Sequence, residues 1–201
     1  MTQEKTISPT ILAIDSSTGI CSISILKNND IIVYLEEKTI SLQAKRLIPM
    51  VEDALRSSNI GYRDISSIAC SVGPGGFTGI RIGLAAARAI GFAANIPVLG
   101  FSTLEVIALE KIENDEGANI PIYSSLNAGK GEIIYQYFDR DLEAKCPPTI
   151  AISHPAAEKD IIITYPRADF LAKLALKYPQ KATKAAPFYV RPPDAKLPET
   201  K

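Results

Sequence analysis

Residues 69–100, ACSVGPGGFTGIRIGLAAARAIGFAANIPVLG, decide the fold. The β-branched run from Ile65 to Cys70 predicts a strand, and Gly73, Gly75, Gly76 and Gly79 a loop. A helix then follows from about Ile80 to Ala94, and Pro97-Val98-Leu99 starts another strand. Strand, glycine loop, helix and strand make a βαβ unit. Inside the helix, Gly79, Gly83, Ala87 and Gly91 recur every fourth residue and align on one stripe. Each helical glycine costs about 1 kcal/mol relative to alanine, so three of them require an offsetting gain, and close approach of another backbone supplies one. Packing of the stripe on its own sheet is one reading. The other takes Ile80, Leu84 and Ile90, with Phe92 nearby, as the core face. The stripe is then left for a helix of another chain, by extension of small-residue packing in membranes. The expectation adopted is the second.

Upstream, Ile11-Leu12-Ala13-Ile14 is a continuous apolar run ending at Asp15, the pattern of a buried central strand. Ser16-Ser17-Thr18-Gly19 makes a turn, Ile20 to Leu26 returns as a hairpin strand, and Asn28-Asn29-Asp30 turns again into a strand from Ile31 to Leu35. Leu42, Leu47, Ile48, Val51 and Leu55 follow helical spacing, with Pro49 either starting or kinking the helix. Thr78 can cap the glycine-striped helix. Ser102-Thr103-Leu104-Glu105 is a capping box that opens a helix through Leu109.

The order βββαβαβα resembles the ribonuclease-H-like half-domain of the actin, sugar-kinase and heat-shock-chaperone superfamily. An α/β fold with one full half-domain and a reduced second half is therefore expected. The second half starts near Ile120, with a hairpin of residues 120–126 and 132–138 around Asn127-Ala128-Gly129-Lys130-Gly131. A brief strand is expected at Ile161-Ile162-Ile163, and a short helix carries Phe170, Leu171, Leu174 and Leu176. The tail from Pro187 to Lys201 holds four prolines and is expected to be extended and partly disordered. The expected domains are residues 1–110, 111–186 and the tail 187–201.

Charge and composition narrow the function. Lys plus Arg and Asp plus Glu both number 22 in 201 residues, giving no net charge and no basic cluster for gripping nucleic acid alone. The polar start, MTQEKTISPT, is expected to be neither a signal nor a transit sequence. Arg81, Arg88, Asn95 and Pro97 interrupt the longest apolar stretch, so no membrane partner is expected. Three scattered cysteines, Cys21, Cys70 and Cys146, read as reduced thiols in a cytoplasmic protein. His154 is the only histidine, which removes histidine-rich metal sites and weakens every triad that needs a base. No catalytic and no metal-binding residue is expected.

Asp15 admits two readings: a carboxylate that holds a metal near nucleotide phosphate, as the superfamily places one there, or an Asp bonded to its own turn. The glycine loop lacks the Gly-Lys-Ser/Thr ending of a P-loop and misses the G-x-G-x-x-G spacing. Phe101 and Ser102 stand where an acidic ribose ligand would follow. Asp15, Gly75 and Gly76 remain the candidate nucleotide-contacting positions.

The segments ILAIDSSTGICSISI, LIPMVEDAL and SVGPGGFTGIRIGLAAARAIGFAANIPVLGFSTLE together resemble the bacterial TsaB (YeaZ) family, and Pro187-Phe188-Tyr189-Val190-Arg191 is similar to that family's C-terminal motif. The resemblance implies a non-catalytic partner of the transferase TsaD in threonylcarbamoyl modification of the adenosine beside the anticodon (adenosine 37) of tRNAs reading codons that begin with adenine. It further implies a helical-bundle contact with TsaD, a similar bundle in a homodimer, and the ATPase TsaE as a further member of the complex. Transfer RNA is then met only through that complex. No cofactor of its own is implied; ATP or ADP with magnesium belongs only to a partner interface. Carried onto this chain, the interface positions are Leu47, Val51, Leu55, Gly79, Arg81, Gly83, Ala87 and Gly91. The chain departs from many relatives at Gln43 and at Asn127-Ala128-Gly129, and its second half is shorter. Two other classes stand beside this one: an ATP-dependent phosphotransferase of the sugar- or acetate-kinase kind, and, disfavoured by the single histidine, a metallopeptidase.

Overall fold

The computed structural model describes residues 9–114, 121–152 and 165–191. Three antiparallel-connected strands open the chain: β1 (Thr10–Asp15), β2 (Ile20–Lys27) and β3 (Asp30–Lys38). Helix α1 (Gln43–Ser58) contains Pro49 within its first half, and Asn59 closes it in the left-handed conformation. The βαβ unit follows as β4 (Ser67–Gly73), α2 (Phe77–Ala94) and β5 (Val98–Ser102). Then come α3 (Thr103–Asn114), β6 (Ile122–Gly129), β7 (Glu132–Phe138), β8 (Thr149–Ala151), α4 (Ala168–Lys177) and the two-residue strand β9 (Thr183–Lys184).

The first sheet has the order β3-β2-β1-β4-β5-β9, and β6-β7-β8 form a second. β1 pairs antiparallel with β2 and parallel with β4, and every residue of β1 is buried. Its residues alternate between two cores. Leu12 and Ile14 join Leu47, Val51, Ile80 and Leu84 under α1 and α2, whereas Ile11 and Ala13 join residues of α3, α4, β6 and β7 on the other face. Two layers of helix around one sheet, with α3 wedged between the two sheets, give the α/β architecture of the actin-like, ribonuclease-H-like fold: one complete half and a reduced second.

Several details differ from the sequence reading. α2 starts at Phe77 rather than Ile80; its N-cap is Gly76, with no side-chain cap, so Thr78 lies in the first turn and caps nothing. α3 runs on to Asn114. β9 adds an edge to the first sheet through Leu99–Lys184 and Gly100–Thr183 pairing, and is too short to leave a hydrophobic signal. The tail does not begin free at Pro187. Phe188 N donates to Val72 O at 2.8 Å, and Arg191 ion-pairs with Glu132. The strand expected at residues 161–163, His154 and residues 192–201 lie outside the described residues. By length and composition α2 would also pass as a bilayer span, which is equally the look of a core helix with one face on its sheet.

Candidate docking face and inter-sheet cleft

Gly79, Gly83, Ala87 and Gly91 do line up along α2, and all four are buried. They face inward. A Cβ on Gly79 would overlap the Ser16 carbonyl oxygen, and one on Gly83 would sit 2.6 Å from Ser16 Oγ. One on Gly91 would collide with Val98 and lie 2.8 Å from Ile96 O. Ser16 Oγ donates to Gly79 O at 2.8 Å, fixing the turn after β1 to the helix. The loop glycines behave alike: a Cβ on Gly75 would overlap the Ser17 carbonyl oxygen, and Gly76 N donates to that same oxygen at 2.7 Å. The close-approaching groups are thus the chain's own, the turn between β1 and β2 at Gly79 and Gly83 and residues 96–98 at Gly91, and the expectation of a stripe kept bare for another protein is corrected. Leu47, Val51 and Leu55 are likewise buried beneath α1. Of the eight proposed interface residues only Arg81 reaches the surface. The reason is topological, because β1 is the central strand and its C-terminal turn must pass beneath the helix that covers it.

Asp15 sits at the end of β1, 1 % exposed, and lines neither of the two cavities described below. Its carboxylate accepts from Ser17 N at 3.2 Å and Ser17 Oγ at 3.0 Å. Burial pushes its pKa up to about 6, against the opposing pull of the neighbouring Ser71 and Ser17 hydroxyls. The geometry is that of an Asp bracing its own turn. Cys21 and Cys70 are buried core fillers, and burial pushes the Cys70 thiol up to about 12, which makes it a poor nucleophile. Among the described residues no cluster of metal-ligating side chains forms.

Gly75, Gly76 and Phe77 do border open space. A cavity of about 650 Å³ lies between that loop and the β6–β7 hairpin at Asn127–Lys130, with Phe188–Arg191 as a wall. A neighbouring cavity of about 480 Å³ reaches Thr18, Gln43 and Thr78. Tyr189 stacks on Phe77 with ring centres 5.2 Å apart, and Arg81 Nε donates to Tyr189 Oη at 2.9 Å while its guanidinium lies 3.6 Å over the Phe77 ring. With the Arg191–Glu132 pair, this strap ties the start of α2 to the second sheet.

The outward side of α2, of which the sequence reading took up only the arginines, holds the helix's exposed residues. Arg81, Ala85, Arg88 and Phe92 are all exposed, Phe92 by 92 %. They recur at i, i+4, i+7 and i+11, the spacing by which one helix faces another across a seam. Ala89 and Ala93 lie beside them, also exposed, and Ile48 on neighbouring α1 is 42 % exposed. The signal was legible in the spacing, but the glycines one face away drew the inference instead.

The model of the family described as TsaD, tRNA N6-adenosine threonylcarbamoyltransferase, matches residues 37–185. The chain is 30 % identical over 132 residues to the tRNA threonylcarbamoyladenosine biosynthesis protein TsaB of Haemophilus influenzae, covering 66 % of this chain and 55 % of that protein. It is 33 % identical over 135 residues to the TsaB of Escherichia coli, again 55 % of that protein. The match therefore spans little more than half the length of these curated relatives. In fold, YeaZ from Pseudomonas aeruginosa superposes with a TM-score of 0.78 at 23 % identity, over 90 % of this chain and all of that one. The family model over residues 37–185 and the identity to the curated TsaB proteins place this protein in the TsaB (YeaZ) family, and the likeness to YeaZ shows the same fold over almost the whole chain.

Proposed function

We propose that this chain is a non-catalytic subunit in threonylcarbamoyladenosine synthesis on tRNA, docking on TsaD through the outward side of α1 and α2. The observation that carries this reading is the exposed seam Arg81–Ala85–Arg88–Phe92: a phenylalanine 92 % exposed beside alanines, on a helix whose other face is packed on its sheet, has the form of an interface rather than a solvated surface. Family membership supplies the biochemical setting. A supporting role without chemistry is in keeping with Asp15 bonded to its own turn, 1 % exposed and lining neither cavity. TsaE and tRNA then meet this subunit within the complex, in the cytoplasm, and nucleotide with magnesium belongs to a partner interface. The same helices also offer a homodimer contact to the free protein.

A phosphotransferase reading draws less support. The glycine loop that would cradle phosphate is occupied by the Ser17 carbonyl, and Asp15 is sealed beneath it. The deciding experiment is size-exclusion chromatography of the purified chain mixed with TsaD. Co-elution as a complex is expected. Separate elution, together with tight calorimetric binding of Mg-ATP by the chain alone, overturns the reading in favour of the phosphotransferase.

A further inference from the structure

At the mouth of the inter-sheet cleft the chain passes from one half of the molecule to the other. Its approach, residues 183–188, is fastened to the first sheet by backbone. Thr183 and Lys184 pair with β5, and Phe188 N donates to Val72 O at 2.8 Å. Two glycines clear the bed beneath it: a Cβ on Gly100 would lie 2.8 Å from Lys184 O, and one on Gly73 would lie 2.5 Å from Phe188 O. Beyond Phe188 the hold passes to side chains. Tyr189 packs against the core under α1 and α2, Val190 against the core shared with the second sheet, and Arg191 pairs with Glu132 at the start of β7.

Those side chains join two elements that face each other across the cavity of about 650 Å³. On one side stand Phe77 and Arg81 of α2, which grip Tyr189 by ring stacking and by the hydrogen bond to its hydroxyl. On the other stands the β6–β7 hairpin, whose tip at residues 127–130 lines the same space. A ring stack and a half-exposed ion pair open far more readily than a ladder of backbone bonds. The segment thus has a root that stays and a tip that can let go.

We infer that residues 189–191 form a conformational clasp. Shut, it fixes the β6–β7 hairpin against the start of α2; released, it frees both sides of the cleft together. The cavity then opens on the loss of a few side-chain contacts, with both cores left intact. Arg81 belongs to the clasp and also reaches the surface, so the state of the cleft is felt on the outward side of α2.

The test is hydrogen–deuterium exchange of the full chain, followed in residues 80–84 of α2 and in the β6–β7 hairpin. The variants are Glu132→Arg, Arg191→Glu, the double variant that swaps the two charges, and Tyr189→Phe. Each single charge variant sets like charges together and is expected to speed exchange by about threefold or more on both sides of the cleft. The swap restores the pair, and with it wild-type exchange on both sides. Tyr189→Phe keeps the stack but loses the hydroxyl that accepts from Arg81, so it speeds both sides by less. This mild change keeps the test decisive should a charge variant fail to fold. Acceleration confined to one side of the cleft, or none in a folded single variant, overturns the inference, because the contacts are then local. A folded swap that restores neither side also overturns it.

Discussion

The two sides of α2 use small residues to opposite ends. Inward, Gly79, Gly83 and Gly91 remove side chains so that Ser16, Ile96 and Val98 of the same chain can touch the helix. Outward, Ala85, Ala89 and Ala93 keep the helix backbone near the surface between two arginines and a projecting Phe92. Glycine's helix cost is offset by intramolecular packing, whereas alanine carries no such cost. A glycine stripe therefore reports that some backbone comes near, and the bare alanine seam is the better sign of a foreign one.

The comparison breaks most sharply at Gly79. Gly79→Val drives methyl groups into the Ser16 carbonyl, and the expected cost is about 3 kcal/mol, at the upper end of ordinary overpacking. That lowers the melting temperature by ~6–12 °C in a chain of this size, read by calorimetry. An unchanged melting temperature would mean that the turn after β1 does not sit on the helix. Gly83→Leu belongs with it as a folding variant and does not isolate the interface.

Asp15 tests the same turn through pH. Its native pKa of about 6 exceeds the ordinary value of 3.8, so the folded state holds the proton more tightly than the unfolded one. The stability this contributes is complete below pH 3.8 and is lost as pH rises through 6, by about 3 kcal/mol at 1.36 kcal/mol per unit. In urea titrations at pH 4 and pH 8, wild type minus Asp15→Asn should show most of that difference, with the variant gaining relative stability at the higher pH. A pH-independent difference would place the carboxylate in contact with water.

On the outer face, Phe92→Ala is expected to leave melting within ~2 °C, as for most surface changes. TsaD affinity should fall by about thirtyfold, the scale of an interfacial aromatic anchor. The smallest effect is expected from Tyr189→Ala. Losing the stack on Phe77 and the hydrogen bond from Arg81 removes about 1 kcal/mol of stability, detectable in denaturant midpoints.

How much of this was legible beforehand follows from how local each signal is. The βαβ unit and the hairpins announced themselves because their periods and turn residues lie within short windows. The β6–β7 turn at Lys130-Gly131 is of this kind. The start of α2 was misplaced by three residues because its N-cap, Gly76, has no side chain to mark it. The direction of the glycine stripe was illegible because its partner, Ser16, lies 63 residues from Gly79 and contributes a backbone carbonyl that no side-chain pattern encodes. The anchoring of residues 187–191 was illegible for a related reason, because Val72 O, Phe77 and Glu132 belong to distant strands and a helix. Of the nucleotide candidates, Gly75 and Gly76 border a cavity, whereas Asp15 braces its own turn beneath them.

The most direct test of the two-sided helix is calorimetric titration of TsaD with Ala85→Trp. An indole at this exposed position stands on the outward side of the helix, so melting should stay within ~2 °C of wild type, while affinity for TsaD falls by at least about thirtyfold. Full affinity from a normally folded Ala85→Trp chain would contradict the account.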